Sequence, residues 1–298
     1  MTLFEYKHAQ IEIAPRPRID IYQEIINLSS PTSYLLREND QEAFFRKQGI
    51  EETVVFERNR EKFRSSLQLL TAFLWEHFGL PTKDIVEYGS GATGYFDAVL
   101  RPEQVQPWLQ VEINPAARAE NKRRNPNANV VEGSYNHIEY RHVPMIVGLS
   151  SFDTADDMPH AIDQVVQALS PGGFFFHVQD VRPGVYCAAS HVKRKTGSFA
   201  DVFYEYDNQV FGMEIAGVRR TLVNVFQEAI GEALHAQTSL EVLANDYVTL
   251  TESSVDAHHE IYFLNLHAAS PGSLPVMRKR ETTVLVTVAR KKLLKKTK

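Results

Sequence analysis

Glu87, and the glycines at 89, 91 and 94 that follow it, are the residues whose types and spacing imply chemistry most directly. In Ile85-Val-Glu-Tyr-Gly-Ser-Gly-Ala-Thr-Gly94 a short apolar run reads as the end of a buried strand. The glycines read as a turn, and Tyr95–Leu100 as the start of a helix. Strand, glycine turn and helix together let a ligand approach bare backbone N–H groups at a helix N-terminus. Glycine is needed there because a Cβ blocks the approach or forbids the positive φ of the turn. The spacing alone is a weak signal, since tight turns that bind nothing share it, so the flanking carboxylates decide. Glu112 lies 25 residues beyond Glu87 and closes the apolar run Trp108–Val111. A carboxylate in that place accepts hydrogen bonds from ribose hydroxyls. Two ligands suit the pair, a nicotinamide dinucleotide or S-adenosylmethionine. Glu87 separates them: beside a pyrophosphate it only repels, whereas adenosylmethionine brings an ammonium and a sulfonium charge.

Candidate groups for the second substrate are fewer. Asp180 follows the run Phe174–Val178, at the edge where ligands bind in parallel sheets. Its other reading, a helix or turn cap, has equal weight. His191 lies beyond it, and Ser151 and Asp153 follow the run Pro144–Leu149. For a hydroxyl acceptor one of these serves as general base, while an amine needs mainly orientation and desolvation. His177 sits in mid-strand and reads more readily as a core histidine. His258 and His259 point opposite ways on an extended chain, so no metal site is expected from them. Phe203, Tyr204, Tyr206 and Phe211 suit either a pocket floor or plain core packing.

Alternating elements position these residues. Phe56, Phe63, Leu67, Leu70, Leu74 and Phe78 recur at mostly three- and four-residue steps, the face of a helix that Gly79 and Pro81 terminate. Strands are expected at 85–86, 108–111, 129–131, 144–149, 174–178, 241–251 and 282–289. Asn114-Pro115 supplies an N-cap and first-turn proline for a helix to about Arg124. Ile162, Val165, Val166 and Leu169 mark another helix, and Leu222–Leu234 a third. Repeated strand–helix units of this length imply a parallel sheet covered on both faces. Residues 1–50 show proline breaks at 15 and 17 and short helical stretches at 20–28 and 40–48.

Four stretches together resemble the successive motifs of class I S-adenosylmethionine-dependent methyltransferases: Val86–Gly91, Val111–Pro115, Val131–Ser134, and Ala168-Leu-Ser-Pro-Gly-Gly-Phe174. The resemblance covers residues 55–180 well and 218–290 loosely. It implies a Rossmann-like, seven-stranded, mostly parallel sheet with an antiparallel last strand. By position it also implies roles: Glu87, Tyr88, Gly89, Ser90 and Gly91 toward the methionine part of the cofactor, Glu112 on the ribose, and Ile113 against adenine. Ser134 and Tyr135 fall where the family holds the adenine amine, and Leu149 and Ser150 line the cofactor toward the acceptor. Ser134 stands where an aspartate is common, and the glycine turn is one residue longer than usual. Leu149-Ser-Ser-Phe-Asp-Thr154 is not the Asp/Asn-Pro-Pro-Tyr signature of enzymes acting on nucleobase or glutamine amines. Cys187 lacks the Pro-Cys context of cytosine C5 chemistry.

The totals set outer limits. The chain has 298 residues, 43% hydrophobic and 23% charged, with net charge −5 and a single cysteine. That excludes an internal disulfide framework and argues against a dedicated nucleic-acid binder. Without a signal peptide or apolar span in view, a cytoplasmic protein with a small-molecule substrate and no membrane partner is expected. The domain reading is an N-terminal helical extension over 1–80, acting as a lid or pocket wall. A methyltransferase domain follows over 81–290, with inserts at 181–217 and 252–280, and a basic tail at 291–298. The expected function is methyl transfer from S-adenosylmethionine to a small-molecule O or N acceptor. The alternatives are an NAD(P)-dependent oxidoreductase and a non-catalytic methyltransferase-like module that binds cofactor or protein for regulation.

Overall fold

Ile85 and Val86 point to opposite sides of one strand, and each side is covered by its own helices. The computed structural model describes residues 1–16, 31–32, 46, 64–94, 108–155, 157–179, 191–192, 194–195, 202–206, 209–215, 218–252 and 280–293. The central strands are β4 (Ile85–Tyr88), β5 (Trp108–Val111), β6 (Asn129–Val131), β7 (Val143–Leu149) and β8 (Leu169–Gln179). All five run parallel, because each is joined to the next through a crossover rather than a hairpin. On one face the helix at Arg64–Phe78, α1, lays Leu70, Phe73, Leu74 and Trp75 on Ile85, Met145, Val147 and Phe176. On the other, α3 (Met158–Ala168) and α4 (Leu222–His235) pack Ile162, Val165, Phe226 and Ile230 against Val86, Ile146 and Phe175. Burial on both faces is why these strands read as unbroken apolar runs instead of alternating ones. The helix at Pro115–Arg124, α2, connects β5 to β6.

Beyond β8 the sheet continues with β13 (Arg280–Lys291) and then β12 (Leu240–Glu252), and β13 is antiparallel to both neighbours. The order β6-β5-β4-β7-β8-β13-β12 is that of the class I methyltransferase sheet. The sheet is nine-stranded and not seven-stranded, because β1 (Thr2–Tyr6) and β2 (Ala9–Ala14) form a hairpin that adds to the β12 edge. The chain thus opens on strands where a helical extension was expected. The alternation Phe4, Tyr6 and Ile11, Ile13 is the period-two signal, and Pro15 merely ends it. Lys7, at φ 53°, makes the tight turn between the two strands. The expected helix at 20–28 lies outside the described residues, as do 52–63 and the expected helix at 95–100, and of 40–48 only Arg46, which is helical, is described.

Phe4 packs on Phe73 and His77 of α1, with ring centroids 5.2 and 5.0 Å apart, and the Tyr6 hydroxyl donates to Glu76 Oε1 at 2.8 Å. Burial, with the neighbouring Glu76 carboxylate, pushes the Tyr6 phenol up to about 12. A group whose folded pKa is raised keeps its stabilising effect below the unfolded value and loses it as pH climbs through the folded one. The protein is therefore expected to lose stability from pH 10 to 12, and Tyr6→Phe to flatten that limb at a cost of about 0.5–1 kcal/mol near neutrality. Chemical denaturation across that pH range reads both effects.

The segment between β8 and α4 holds more order than its turn signals suggested. There β9 (Val202–Tyr206), β10 (Gln209–Ile215) and β11 (Val218–Thr221) form a meander, and β3 (Pro31–Thr32) completes a second sheet ordered β11-β10-β9-β3. The insert at 252–280 lies almost wholly outside the described residues.

Candidate functional site

The strand order reverses at β4. From it the chain steps outward through β5 to β6 on one side, and through β7 to β8 on the other. At such a switch point the loops leaving the carboxyl ends diverge and leave a crevice. Here the crevice is a cleft of about 640 Å³ including its open mouth. Its lining comes from all four loop ends, among them Tyr88 and Gly89, Glu112 and Ile113, Ser134 to Asn136, and Ser150, Ser151 and Thr154.

The glycine turn is locked from below by the protein's own polar groups. Gly89 N–H donates to Val111 O at 2.9 Å, and Gly94 N–H to Ser90 O at 2.8 Å. Asn121, fully buried on α2, donates its amide to Gly91 O at 3.3 Å and to Gln110 Oε1 at 3.0 Å. Two glycines answer to packing. Gly94 (φ 71°) admits the Gln110 amide, which would lie 2.0 Å from any Cβ, and Gly89 (φ 69°) admits Ser151, whose Cβ would lie 2.4 Å away.

Glu112 forms the centre of the cleft wall. Its Oε2 accepts from Gly91 N–H and its Oε1 from Asn114 N–H, both at 2.8 Å. Burial raises its pKa, and the backbone N–H groups of Asn114, Gly91 and Ile113, with Arg118, oppose that rise. A carboxylate has roughly four acceptor positions, and these two bonds leave capacity for hydroxyl donors from the cleft. Asn114 caps α2 as its type foretold, accepting from Ala116 and Ala117 N–H at 2.8 and 3.0 Å. Arg118 clamps the loop by donating to Glu112 O and Ile113 O, each at 2.9 Å, while its other nitrogen pairs with Glu132 at 2.9 Å.

The opposite wall is a stack. Tyr135 lies on Phe152 at 4.8 Å between ring centroids, and its hydroxyl is hydrogen-bonded to Thr154 Oγ1. Thr154 Oγ1 in turn lies 2.7 Å from Ser151 O. Ser134 Oγ accepts from Asn136 N–H at 3.0 Å, closing a local turn, so it is a turn former as well as a lining residue. Ser150 is held at φ 44°, a left-handed conformation that costs a non-glycine residue energy and recurs at ligand sites.

Seven expected cofactor-side residues line the cleft: Tyr88, Gly89, Glu112, Ile113, Ser134, Tyr135 and Ser150. Glu87, Ser90, Gly91 and Leu149 stand beside it without forming its wall, and Glu87 is only 1% exposed. Asn136 and Thr154 line it without having been expected. Their signal is the three-dimensional return of two loops to one place, which no periodicity encodes. Of the acceptor-side candidates, Ser151 is in the cleft wall and Asp180 lies outside the described residues. His191 is elsewhere. Its Nε2 sits 3.3 Å from Glu228 Oε1 on α4, and burial more than offsets that carboxylate and holds its pKa down. His191, Glu228 and Glu232 bring their ligand atoms within 4.8 Å of one another, a spacing a metal ion tolerates. The Lys195 ammonium already donates to both carboxylates there, at 2.6 Å to Glu232.

No family model and no curated protein matches this chain. Solved structures do. A SAM-dependent methyltransferase from Leishmania major is 12% identical with a TM-score of 0.46, covering 84% of this chain and 81% of its own. One from Thermotoga maritima is 12% identical at 0.44, covering 85% and 100%. A third, from Clostridium acetobutylicum, is 9% identical at 0.41, covering 79% and 92%. At these values the likeness carries no argument about this chain's fold, cofactor or acceptor. The strand order defines the fold independently, and it is the class I S-adenosylmethionine-dependent methyltransferase fold. Among the described residues no helix is long and apolar enough to cross a membrane.

Proposed function

We propose that this chain is an S-adenosylmethionine-dependent methyltransferase acting on a small-molecule O or N acceptor. The observation that supports this most is the placing of Glu112. Its carboxylate faces a cleft at the switch point while occupying the Gly91 N–H of the glycine turn. A diphosphate bound at such a turn needs its free backbone N–H groups. A carboxylate 2.8 Å from the nitrogen blocks the approach and repels the ligand. A neutral ribose gains from the same carboxylate through its two hydroxyls. This acceptor, seated on the turn's own N–H, therefore fits the ribose hydroxyls of a nucleoside without a diphosphate, and it weighs against a nicotinamide dinucleotide.

In this reading Glu112 holds the ribose, while Ile113 and the Tyr135 stack flank the adenine. Tyr88 to Gly91, with Ser150, enclose the methionine part, and Glu87 sets a negative potential beneath it. The bound cofactor supplies an electrophilic methyl group. The protein's own contribution is orientation and exclusion of water, the terms through which a held pair of reactants gains most. Ser151 is the residue proposed to meet the acceptor.

Calorimetric titration with S-adenosylhomocysteine tests the reading. Saturable binding in the micromolar range is expected, with no heat from NADH under the same conditions. Binding of NADH in place of S-adenosylhomocysteine would overturn it in favour of the oxidoreductase. Cofactor binding without turnover across a broad acceptor panel would favour the regulatory module.

A further inference from the structure

Among the buried side-chain atoms with no hydrogen-bond partner among the described residues are Ser151 Oγ, His177 Nδ1 and Nε2, and Gln179 Nε2 and Oε1. His177 and Gln179 are fully enclosed and Ser151 nearly so. Native proteins leave few such atoms, and a cluster of them calls for an explanation. They belong together in space. His177 and Gln179 stand two apart on β8 and so share a face, the one covered by α3 and α4. His177 is paired across the sheet with Gly148 of β7. The missing side chain at Gly148 makes the room: a Cβ there would lie 2.6 Å from Ser151 Oγ and 3.1 Å from the His177 ring. On its other side Ser151 abuts Gly89 of the glycine turn. Ser151 therefore stands between the glycine turn and His177, and Gln179 lies two residues further along the same face of β8.

We propose that Ser151, His177 and Gln179 form the floor of the acceptor subsite, selecting an uncharged polar group that both donates and accepts hydrogen bonds. The inference rests on the methyl-transfer reading and names the class of acceptor for it. The hydroxyl, the neutral imidazole and the carboxamide each offer both a donor and an acceptor. A carboxylate or phosphate uses only the donors and leaves the imidazole's bare nitrogen and Gln179 Oε1 facing its charge. Burial pushes the His177 imidazole down to about 3, so it brings no positive charge at neutral pH. Access runs through the turn bearing Ser151 and Phe152. Phe152 lies edge-on to His177 at 5.5 Å, and Ser150 holds its strained φ at the start of that turn. Swinging the turn outward uncovers both buried groups.

The test follows the His177 ring nitrogens by NMR in histidine-labelled protein. The additives are acetamide as the uncharged probe and acetate and inorganic phosphate as charged ones, with S-adenosylhomocysteine titrated in parallel. Acetamide is expected to shift the ring signals saturably, acetate and phosphate to leave them in place, and Gln179→Leu to weaken acetamide at least tenfold. His177→Phe is expected to raise Tm, since it removes unpaired buried polar atoms. The proposal is overturned if acetamide leaves the ring signals unmoved, if either anion moves them as strongly, or if His177→Phe folds with a lowered Tm. That last result would mean the ring serves packing through a structural water. Binding of S-adenosylhomocysteine with silent acetamide removes this subsite alone. Absence of S-adenosylhomocysteine binding removes the methyl-transfer reading, whatever acetamide does.

Discussion

Glu112→Gln is expected to weaken S-adenosylhomocysteine binding by about 100-fold while leaving the protein folded. The magnitude comes from two hydroxyl hydrogen bonds to an ionised, buried carboxylate. Bonds to charged groups contribute about 1.5–3 kcal/mol each, and about 1.4 kcal/mol is a factor of ten in affinity. Glutamine keeps one acceptor oxygen, so one of the two N–H donors at Gly91 and Asn114 stays bonded and the other meets an amide NH₂. Some stability is lost, and a thermal melt separates that loss from the loss of affinity. Glu112→Ala removes both acceptors and is expected to cost more on both measures. The wild-type protein also carries a pH signature. Burial raises the Glu112 pKa above the ordinary carboxylate value, and the neighbouring N–H groups only partly offset it. Hydroxyl donors favour the ionised form, so affinity should fall as pH drops through a midpoint higher than that of an exposed glutamate. Glu112→Gln should abolish this dependence. An affinity unchanged by the substitution would mean that Glu112 serves only to tie the glycine turn to β5 and α2.

The cleft was partly legible in the residues because its local grammar is covalent. The Asn-Pro start of α2, the glycine turn after β4 and the apolar runs of β5 to β8 are short-range patterns that secondary structure follows directly. Glu112 was readable for the same reason, being an acidic residue at the end of a strand two elements after the turn. Which of two carboxylates addresses the turn was not readable. Glu87 has the suggestive position in sequence, yet it is enclosed at 1% exposure, and the bond to Gly91 N–H comes from Glu112. That choice is made when β4 and β5 align in parallel register, Tyr88 beside Val111, which sets the two loops side by side. The role of Thr154 was hidden likewise, since its contact with Tyr135 joins loops 19 residues apart. At the N-terminus two prolines drew attention away from a plain alternation. The hairpin it encodes finds its partner strand more than 200 residues away, where Ile11 lies opposite Leu250.

The glycine turn offers the second large effect, and a comparison of two glycines isolates its cause. Gly79 and Gly89 both sit in the left-handed region, at φ 61° and 69°. Gly79 follows α1 and closes it, with Leu80 N–H donating to Trp75 O at 3.0 Å. A Cβ on Gly79 meets nothing within 4 Å, so Gly79→Ala costs only the backbone strain, about 1–2 kcal/mol. A Cβ on Gly89 meets Ser151 Cβ at 2.4 Å and Oγ at 3.2 Å, distances that force the turn after β7 to move. Overpacking of that kind adds about 1–3 kcal/mol to the same strain. Gly89→Ala is therefore expected to lose about 2–5 kcal/mol, a large share of the roughly 5–15 kcal/mol that holds a typical domain folded. The displaced residue is Ser151, in the cleft wall and next to strained Ser150. The part of the population still folded should accordingly bind S-adenosylhomocysteine more weakly, whereas Gly79→Ala should bind it as the wild type does. Denaturant melts give the first comparison and calorimetry the second. Equal stability losses in the two variants would show that the turn after β7 yields freely, and that the contact between Gly89 and Ser151 does not set the shape of the cleft.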